Sequence, residues 1–191
     1  MPKQTVLYAP CENRIIITFE CEPLMSGNQP DTPLLDEAHA VFITHRVSMG
    51  VASCSAERAP SLVRAHGCRV SADRRRVTVF VSVPRAATVL RDLRAGGAIA
   101  VVFSLPRTHE TIQLKGTQAN VVPLEDGDHA RIKAYAESFI DEIRHLGYKE
   151  SIARALISSA EDESVGVMFE PTAAFVQTPG PNAGSRLEPK P

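Results

Sequence analysis

The stretch VTVFVSVPRAATVLRDLRAGGAIAVVFSLPRTHETIQLKG, residues 77–116, decides how this chain folds. It opens with a β-branched run at residues 77–83, which is typical of a strand. Pro84 suits the first position of a helix, and this helix is expected to run to Ala95, where two glycines end it. The continuous apolar run at residues 98–105 then predicts a buried, central strand.

Runs on both sides of this stretch extend the β pattern. Residues 110–122 have alternating character and predict one long strand, in which Gly116 indicates a bulge or a close approach of another backbone. Upstream, residues 47–54 and 60–70 predict two strands joined by a polar hairpin turn. Arg64 and His66 share one side of the second of these strands.

Helices are expected near both ends of this β region. Thr32, followed by a proline, predicts an N-cap for a helix that ends near Thr44. Asp128 can cap a long amphipathic helix that Gly147 ends, and a short helix follows it. A last core strand is expected at residues 165–169.

The chain divides into three parts by composition. Residues 1–31 are an N-terminal extension, residues 32–177 form the main domain, and residues 178–191 are a Pro- and Gly-rich tail that is expected to be extended. The element order predicts a mainly β fold with flanking helices, in the α+β class.

Composition favours an ordinary soluble protein. Of the 191 residues, 43% are hydrophobic and 23% charged, and the formal net charge is -1, which provides no overall field for nucleic acid or anionic membranes. The apolar runs are too short to span a bilayer, and the N-terminus lacks a secretory pattern. We therefore expect a cytoplasmic protein without nucleic-acid or membrane partners.

The cysteines and histidines form no recognisable reactive motif. Cys11, Cys21, Cys54 and Cys68 include no C-x-x-C pair, which favours buried free thiols, although a bridge between the first two stays open. No histidines lie at metal-binding spacing, so no metal site is expected. No serine stands in a nucleophile motif such as G-x-S-x-G.

Two arginines are candidate anion ligands on local grounds. Arg85 is expected in a first helical turn, where orphan N–H groups and the helix dipole favour an anion, although it could also be a surface residue paired with an acid. Arg64 lies among small and apolar residues and needs a partner, either a ligand phosphate or a protein carboxylate. His66 on the same side is more typical of a structural histidine than of a ligand or base.

Three polar residues complete the candidate set. Ser82 is either a phosphate-binding hydroxyl or a simple helix cap. Gln113 and Lys115 alternate with apolar neighbours and belong either to a binding face or to a solvated sheet face.

Several segments together resemble a known family. They are VSMGVASCSAERAPSLVR (47–64), VTVFVSVPRAATVLRDL (77–93), AIAVVFSLP (98–106), TIQLKG (111–116) and FVQTPGPNAG (175–184). In these segments the chain resembles the pyridoxamine 5'-phosphate oxidase-like family of FMN-binding split β-barrels. The resemblance extends from about residue 33 to residue 177.

The resemblance implies a split β-barrel, a homodimer with FMN at the interface, and an oxidoreductase acting on a small molecule. It implies phosphate contacts on the second strand, at the end of the third strand and at the following helix start, and a polar side chain against the ring edge. The matching cofactor-binding positions are Arg64, His66, Val81, Ser82, Arg85, Gln113 and Lys115. A positive charge or donor such as Lys115 near the ring would stabilise reduced, anionic flavin.

The chain also departs from the family pattern. The oxidase has adjacent Arg and Lys at the helix start, whereas here Arg85 is followed by Ala86, and no Trp is present anywhere. Pyridoxamine phosphate is therefore not the expected substrate. A deazaflavin-dependent reductase, or a non-catalytic module binding flavin or haem, stays open, and no catalytic residue is assigned.

Overall fold

The computed structural model describes residues 4–8, 15–19, 32–157 and 163–187. Cys11 and Cys21, most of the N-terminal extension and the end of the tail lie outside these residues. The strands are β1 (Gln4–Tyr8), β2 (Ile15–Phe19), β3 (Ser48–Cys54), β4 (Pro60–Arg64), β5 (Cys68–Val70), β6 (Val77–Ser82), β7 (Ile99–Ser104), β8 (Thr111–Gly116), β9 (Ala119–Val122), β10 (Ser164–Phe169) and β11 (Ala173–Val176). The helices are α1 (Glu37–Thr44), α2 (Ala87–Arg94), α3 (Asp128–His145) and α4 (Glu150–Ile157).

These strands form two larger antiparallel sheets and a separate hairpin. One sheet has five strands in the order β11-β8-β7-β3-β4, the other has four in the order β5-β6-β10-β9, and β1 pairs with β2 alone. Strand β7 lies at the centre of the five-stranded sheet, as its apolar sequence predicts. The α+β class, mainly β with flanking helices, is confirmed.

Two runs that the sequence predicts as single strands are each divided between the sheets. Residues 60–70 form β4 and β5, and residues 110–122 form β8 and β9. Gly67 takes up a φ of +124° at the first crossing. At the second crossing, a Cβ on Gly116 would lie 3.1 Å from the Glu170 carbonyl oxygen, which confirms the predicted close approach of another backbone. Strands that switch sheets at such corners join the two sheets in the predicted split-barrel arrangement.

The first helix begins later than predicted. Its N-cap is Asp36, whose carboxylate accepts from the His39 N–H at 2.8 Å, and α1 begins at Glu37 rather than after Thr32. A carboxylate caps a helix at least as well as a hydroxyl, which explains why Asp36 rather than Thr32 is the cap. The predicted end at Thr44 is confirmed.

Helix α2 also begins later than predicted. Residues 83–86 form a turn, in which the Ala86 N–H donates to the Ser82 carbonyl at 2.8 Å, and the helix begins only at Ala87. Arg85 therefore lies in this turn, ahead of the helix. Val89, Leu90 and Leu93 form the buried face of α2, and Ala86 in the turn before it is buried too.

The C-terminal tail folds back on the sheet. Strand β11 pairs with β8, although the sequence analysis identifies no strand there. The chain then reverses, and the N–H groups of Val176 and Leu187 donate to Ser185 and Ala174 at 2.9 and 2.8 Å. The expectation of an extended tail is therefore wrong for its described part.

The core lies between the two larger sheets, and α2 packs into it. Its largest fully buried side chains include Phe103 of β7, Phe169 of β10 and Leu90 of α2. The opposite face of the five-stranded sheet carries a small second cluster, in which Leu62 packs on Ala52, Ala100 and Val102.

The N-terminal hairpin lies against the five-stranded sheet. Strand β2 contacts β7, and both edges of β7 are already paired with β3 and β8. The hairpin can thus approach β7 only over a face of the sheet, and the core occupies the other face. Among the described residues, no helix has the length and apolarity needed to cross a membrane.

Candidate functional site

Arg64 lies at the end of β4, next to the first crossing between the sheets. Its Nη1 donates to the Ser48 hydroxyl at 3.2 Å, and its Cζ lies 4.5 Å from the centre of the Phe139 ring. A guanidinium at this distance from an aromatic face is attracted by the ring. The hydroxyl and the ring therefore hold a half-buried positive charge at a defined place.

Hydrogen bonds at the crossing bring His66 to the end of β6. The His66 N–H donates to the Phe80 carbonyl at 2.8 Å, and the Phe80 N–H donates to Gly67 at 2.9 Å. Val81 and Ser82, the next two residues of β6, are both fully buried. The Val81 side chain belongs to the core, so any contact of Val81 with a ligand would have to come from its backbone.

Arg85 is exposed just beyond this point. It follows Ser82 by three residues, within the turn that leads into α2. The structure thus places His66 beside β6, the strand that carries Val81 and Ser82, and Arg85 in the turn that follows this strand.

Gln113 lies on the same face of the five-stranded sheet as Arg64. The strand register places Arg64 opposite Gly50, Gly50 opposite Val102, and Val102 opposite Gln113. Residues that face each other in this way form one row across a sheet. Strands are about 4.8 Å apart, so the two ends of this row are about 14 Å apart.

The neighbouring row on this face also contains short side chains. It contains Ala52, Ala100 and Lys115 in register. The Lys115 Nζ lies 4.9 Å from the centre of the Phe175 ring. Between the polar residues at its rims, this face carries Gly50, Ala52, Ala100 and Val102, which we call the small-residue floor, and Leu62 of β4 packs on it.

Gln113 carries an unsatisfied donor. Its side chain is 0% exposed, and its Oε1 accepts from the Gln177 Nε2 at 3.3 Å. Its own Nε2 is buried and has no hydrogen-bond partner among the described residues. A buried donor without an acceptor costs about 1–3 kcal/mol, so this amide calls for a partner, such as a water molecule or a ligand.

An open cleft of about 720 Å³ lies between α3 and the outer face of the four-stranded sheet. Its floor follows one row of that sheet, in which Arg69 lies opposite Thr78 and Thr78 opposite Met168. Tyr135 and Ser138 of α3 line its wall. The remaining lining residues are Thr44, His45, Cys68, Val70, Ser71, Arg76, Glu125, Arg131 and Ala134.

Carboxylates hold two arginines in place at this cleft. Arg69 donates to Glu125, and its Nε lies 3.6 Å from Asp128, which is 0% exposed and also pairs with Arg131 at 3.3 Å. The hydrogen bond to Glu125 raises the pKa of Arg69, and the same bond lowers the pKa of Glu125. Arg76 adds a third guanidinium to the cleft, so the lining carries more positive than negative charge.

Cys68 is a structural thiol. Its Sγ donates to the Ile43 carbonyl at 3.2 Å, and burial raises its pKa well above the usual range. Cys54 is also buried and forms no disulfide with a described residue, as predicted. In the part of the chain that the structure describes, no group of three His, Cys, Asp or Glu residues could hold a metal ion.

Sequence reasoning missed the cleft and its residues. Arg69 follows Arg64 on the same predicted strand, and Arg131, Tyr135 and Ser138 recur at helical spacing on the predicted long helix. The i, i+4, i+7 spacing of these polar groups was the available signal. Residues 177–180 have two interpretations from the sequence, a flexible tail or a segment that crosses toward the dimer cleft and covers the cofactor. The particular contact of Gln177 with Gln113 had no sequence signal.

Solved structures resemble this fold. One is a putative pyridoxamine 5'-phosphate oxidase from Lactobacillus delbrueckii, with 15% sequence identity and a TM-score of 0.45, covering 74% of this chain and 93% of that one. Another is an F420 reductase, with 13% identity and a TM-score of 0.44, covering 73% and 98%. A third is a pyridoxamine 5'-phosphate oxidase-related, FMN-binding protein from Nostoc punctiforme, with 13% identity and a TM-score of 0.42, covering 76% and 83%.

The chain is thus similar to pyridoxamine 5'-phosphate oxidase-like proteins, in agreement with the resemblance seen in the sequence. At these identities the similarity concerns the fold alone. No family model matches the chain, and no curated protein matches it either.

Proposed function

We propose that this chain is an FMN-binding oxidoreductase that acts as a homodimer on a small anionic molecule. The observation that carries the proposal is the buried Nε2 of Gln113, a donor with no acceptor among the described residues at the rim of the small-residue floor. A planar ring with acceptor atoms along one edge would satisfy this donor. An isoalloxazine ring has such an edge.

The other end of the row suits the phosphate of the cofactor. Arg64 lies about 14 Å from Gln113, a length that an extended FMN molecule can span. Guanidinium groups bind phosphate oxygens in a bidentate manner, and Arg64 is already held by Ser48 and Phe139. Arg85 would add a second positive charge from the turn before α2.

The floor between these ends would support the ring. Gly50 and the alanines have at most a methyl side chain, so a flat molecule on this face would lie close to the backbone. Because these residues are buried, Leu62 or the N-terminal hairpin would have to move to admit it. The hairpin of β1 and β2 also lies against β7, so the cofactor would share the floor with the chain's own N-terminal segment. Arg64 and Lys115 at the rims are half-exposed and remain accessible.

FMN, when bound, supplies the hydride and electron chemistry. The residues of this chain would bind and orient it. Lys115 would favour negative charge near the ring, because a nearby cation stabilises an anion. In the family that the chain resembles, two chains share each flavin, and the proposed homodimer follows that arrangement.

The cleft beside α3 is the proposed place for the substrate. Its three arginines outnumber the two carboxylates, which hold only Arg69 and Arg131, and Ser138 contributes a hydroxyl group. This combination suits a small molecule with a carboxylate or phosphate group and an apolar body.

A titration of FMN into Gln113→Leu tests the proposal. We expect the affinity for FMN to fall about tenfold, because the variant removes the donor at the ring edge. Gln118→Leu, the same change at an exposed position, is the matched control and should bind like the wild type. Equal FMN affinity in both variants would refute the assigned ring position, and retention of a deazaflavin or haem in place of FMN would refute the cofactor.

A further inference from the structure

Arg76 differs in its partners from the other two arginines of the cleft beside α3. Arg69 pairs with Glu125 and Asp128. Arg131 also pairs with Asp128, so two negative charges balance these two positive ones. The exposed guanidinium of Arg76 forms no salt bridge with any residue that the structure describes. The net positive charge of the cleft is therefore the charge of Arg76.

The backbone holds Arg76 at a defined place beside Arg69. The Arg76 N–H donates to the Ser71 hydroxyl at 2.9 Å, and the Arg76 carbonyl accepts from the Ser71 N–H at 2.9 Å. Thr78, two residues later, lies opposite Arg69 in the sheet, and all of these residues line the cleft. Arg76 and Arg69 are thus diagonal neighbours on one face, about 7–8 Å apart, which is within reach of long side chains.

One further carboxylate lies near Arg76, outside the cleft lining. The Asp73 side chain accepts from the Ser71 hydroxyl and from the Arg75 N–H within the turn between β5 and β6. These two hydrogen bonds lower the pKa of Asp73 most, and the charges of Arg76 and Arg75 lower it further. Two arginines thus share this one carboxylate, and the Arg76 donors remain available to a ligand in the cleft.

We propose that Arg76 binds the anionic group of the substrate, a terminal phosphate or carboxylate, and that Arg69 and Arg131 mainly shape the cleft. This inference rests on the proposed function, in which the cleft holds the substrate. Turning Arg69 or Arg131 toward a ligand would take a partner from Asp128, which is 0% exposed, and a buried charge needs its partners. Arg76 can turn to a ligand without this cost. The apolar body would then lie toward Met168 on the cleft floor.

Binding of phenyl phosphate, measured by calorimetry with and without excess FMN, tests this assignment. Arg76→Gln is expected to weaken binding about tenfold at an unchanged melting temperature, because a hydrogen bond to a charged group is lost and no internal pair is broken. Arg131→Gln should behave in the opposite way, with a lower melting temperature and a smaller loss of affinity. Arg144→Gln, which removes an exposed charge elsewhere on α3, is the matched control and should change neither.

Four results would overturn the inference. They are no binding by the wild type, equal affinity in Arg76→Gln and the wild type, an equal loss in Arg144→Gln, and a larger loss in Arg131→Gln than in Arg76→Gln while both stay folded. Competition between FMN and phenyl phosphate would also overturn it, because the cleft would then hold the cofactor. A wild-type protein that binds phenyl phosphate through Arg76 but retains no FMN would instead refute the proposed function and leave the anion site in place.

Discussion

Replacing Arg64 with glutamine is expected to weaken FMN binding about 10- to 100-fold, because a hydrogen bond to a charged group contributes about 1.5–3 kcal/mol. Arg64 is the candidate phosphate ligand whose position the structure fixes, through Ser48 and the Phe139 ring. Fluorescence quenching of FMN on binding measures the affinity. Riboflavin, which lacks the phosphate, should lose much less affinity than FMN.

Two controls separate this effect from a loss of stability. Arg94→Gln removes the same charge from an exposed position on α2 and should leave the affinity for FMN unchanged. Arg64→Gln itself should cost about 1 kcal/mol of stability, since the contact with the aromatic ring is lost. If FMN and riboflavin lose affinity equally while the variant stays folded, Arg64 does not bind the phosphate.

Replacing Gly97 with alanine is expected to lower the free energy of unfolding by about 3 kcal/mol, at the upper end of the usual cost of overpacking. A Cβ at this position would lie 2.7 Å from the Asp92 carbonyl oxygen and 2.8 Å from that of Cys54. Both are backbone atoms, so neither can relieve the clash by rotating as a side chain could. Urea denaturation measures the change, with an unaltered m-value showing that the unfolded state is the same.

Gly96 is the matched control for this prediction. It has a φ of +85°, and a Cβ there would meet nothing within 4 Å. Gly96→Ala should therefore cost only the strain of a left-handed residue, about 1 kcal/mol. A larger loss in Gly96→Ala than in Gly97→Ala would contradict the close packing described at the end of α2.

From the sequence, Gly96 and Gly97 are both predicted simply to end the helix. In the structure only Gly97 is packed closely against other backbone atoms. Local pattern identifies where a helix stops, because Gly is favoured there. It carries no information about which backbone from another part of the chain approaches each glycine. The carbonyls of Asp92 and Cys54 became neighbours of Gly97 only through the tertiary fold.

Strands were predictable, but their breaks were not. The two-residue strand pattern of residues 60–70 and 110–122 continues through both crossings. The sequence pattern therefore does not mark where each strand passes from one sheet to the other. Only Gly67 and Gly116 lie near these points, and a glycine inside a strand has several meanings. Strand β11 was missed because it is short and lies beside a proline-rich tail.

Individual residues of the candidate site could be proposed from the sequence, but their positions relative to one another could not. Arg64 and Gln113 were identified separately, and the shared row that relates them depends on the register of β3, β7 and β8. The cleft beside α3 combines Arg69 with Arg131, which are far apart in sequence and are held by a common buried carboxylate, Asp128. Contacts of this kind follow from topology rather than from local pattern.

The amount of FMN that the purified protein retains tests the central claim most directly. The protein would be mixed with excess FMN, desalted, and its absorption spectrum compared with the protein concentration. The account predicts that the bands of oxidised flavin stay with the protein at about one FMN per chain. A wild-type protein that leaves the column colourless, while folded, would contradict the proposal that the Arg64–Gln113 row binds FMN.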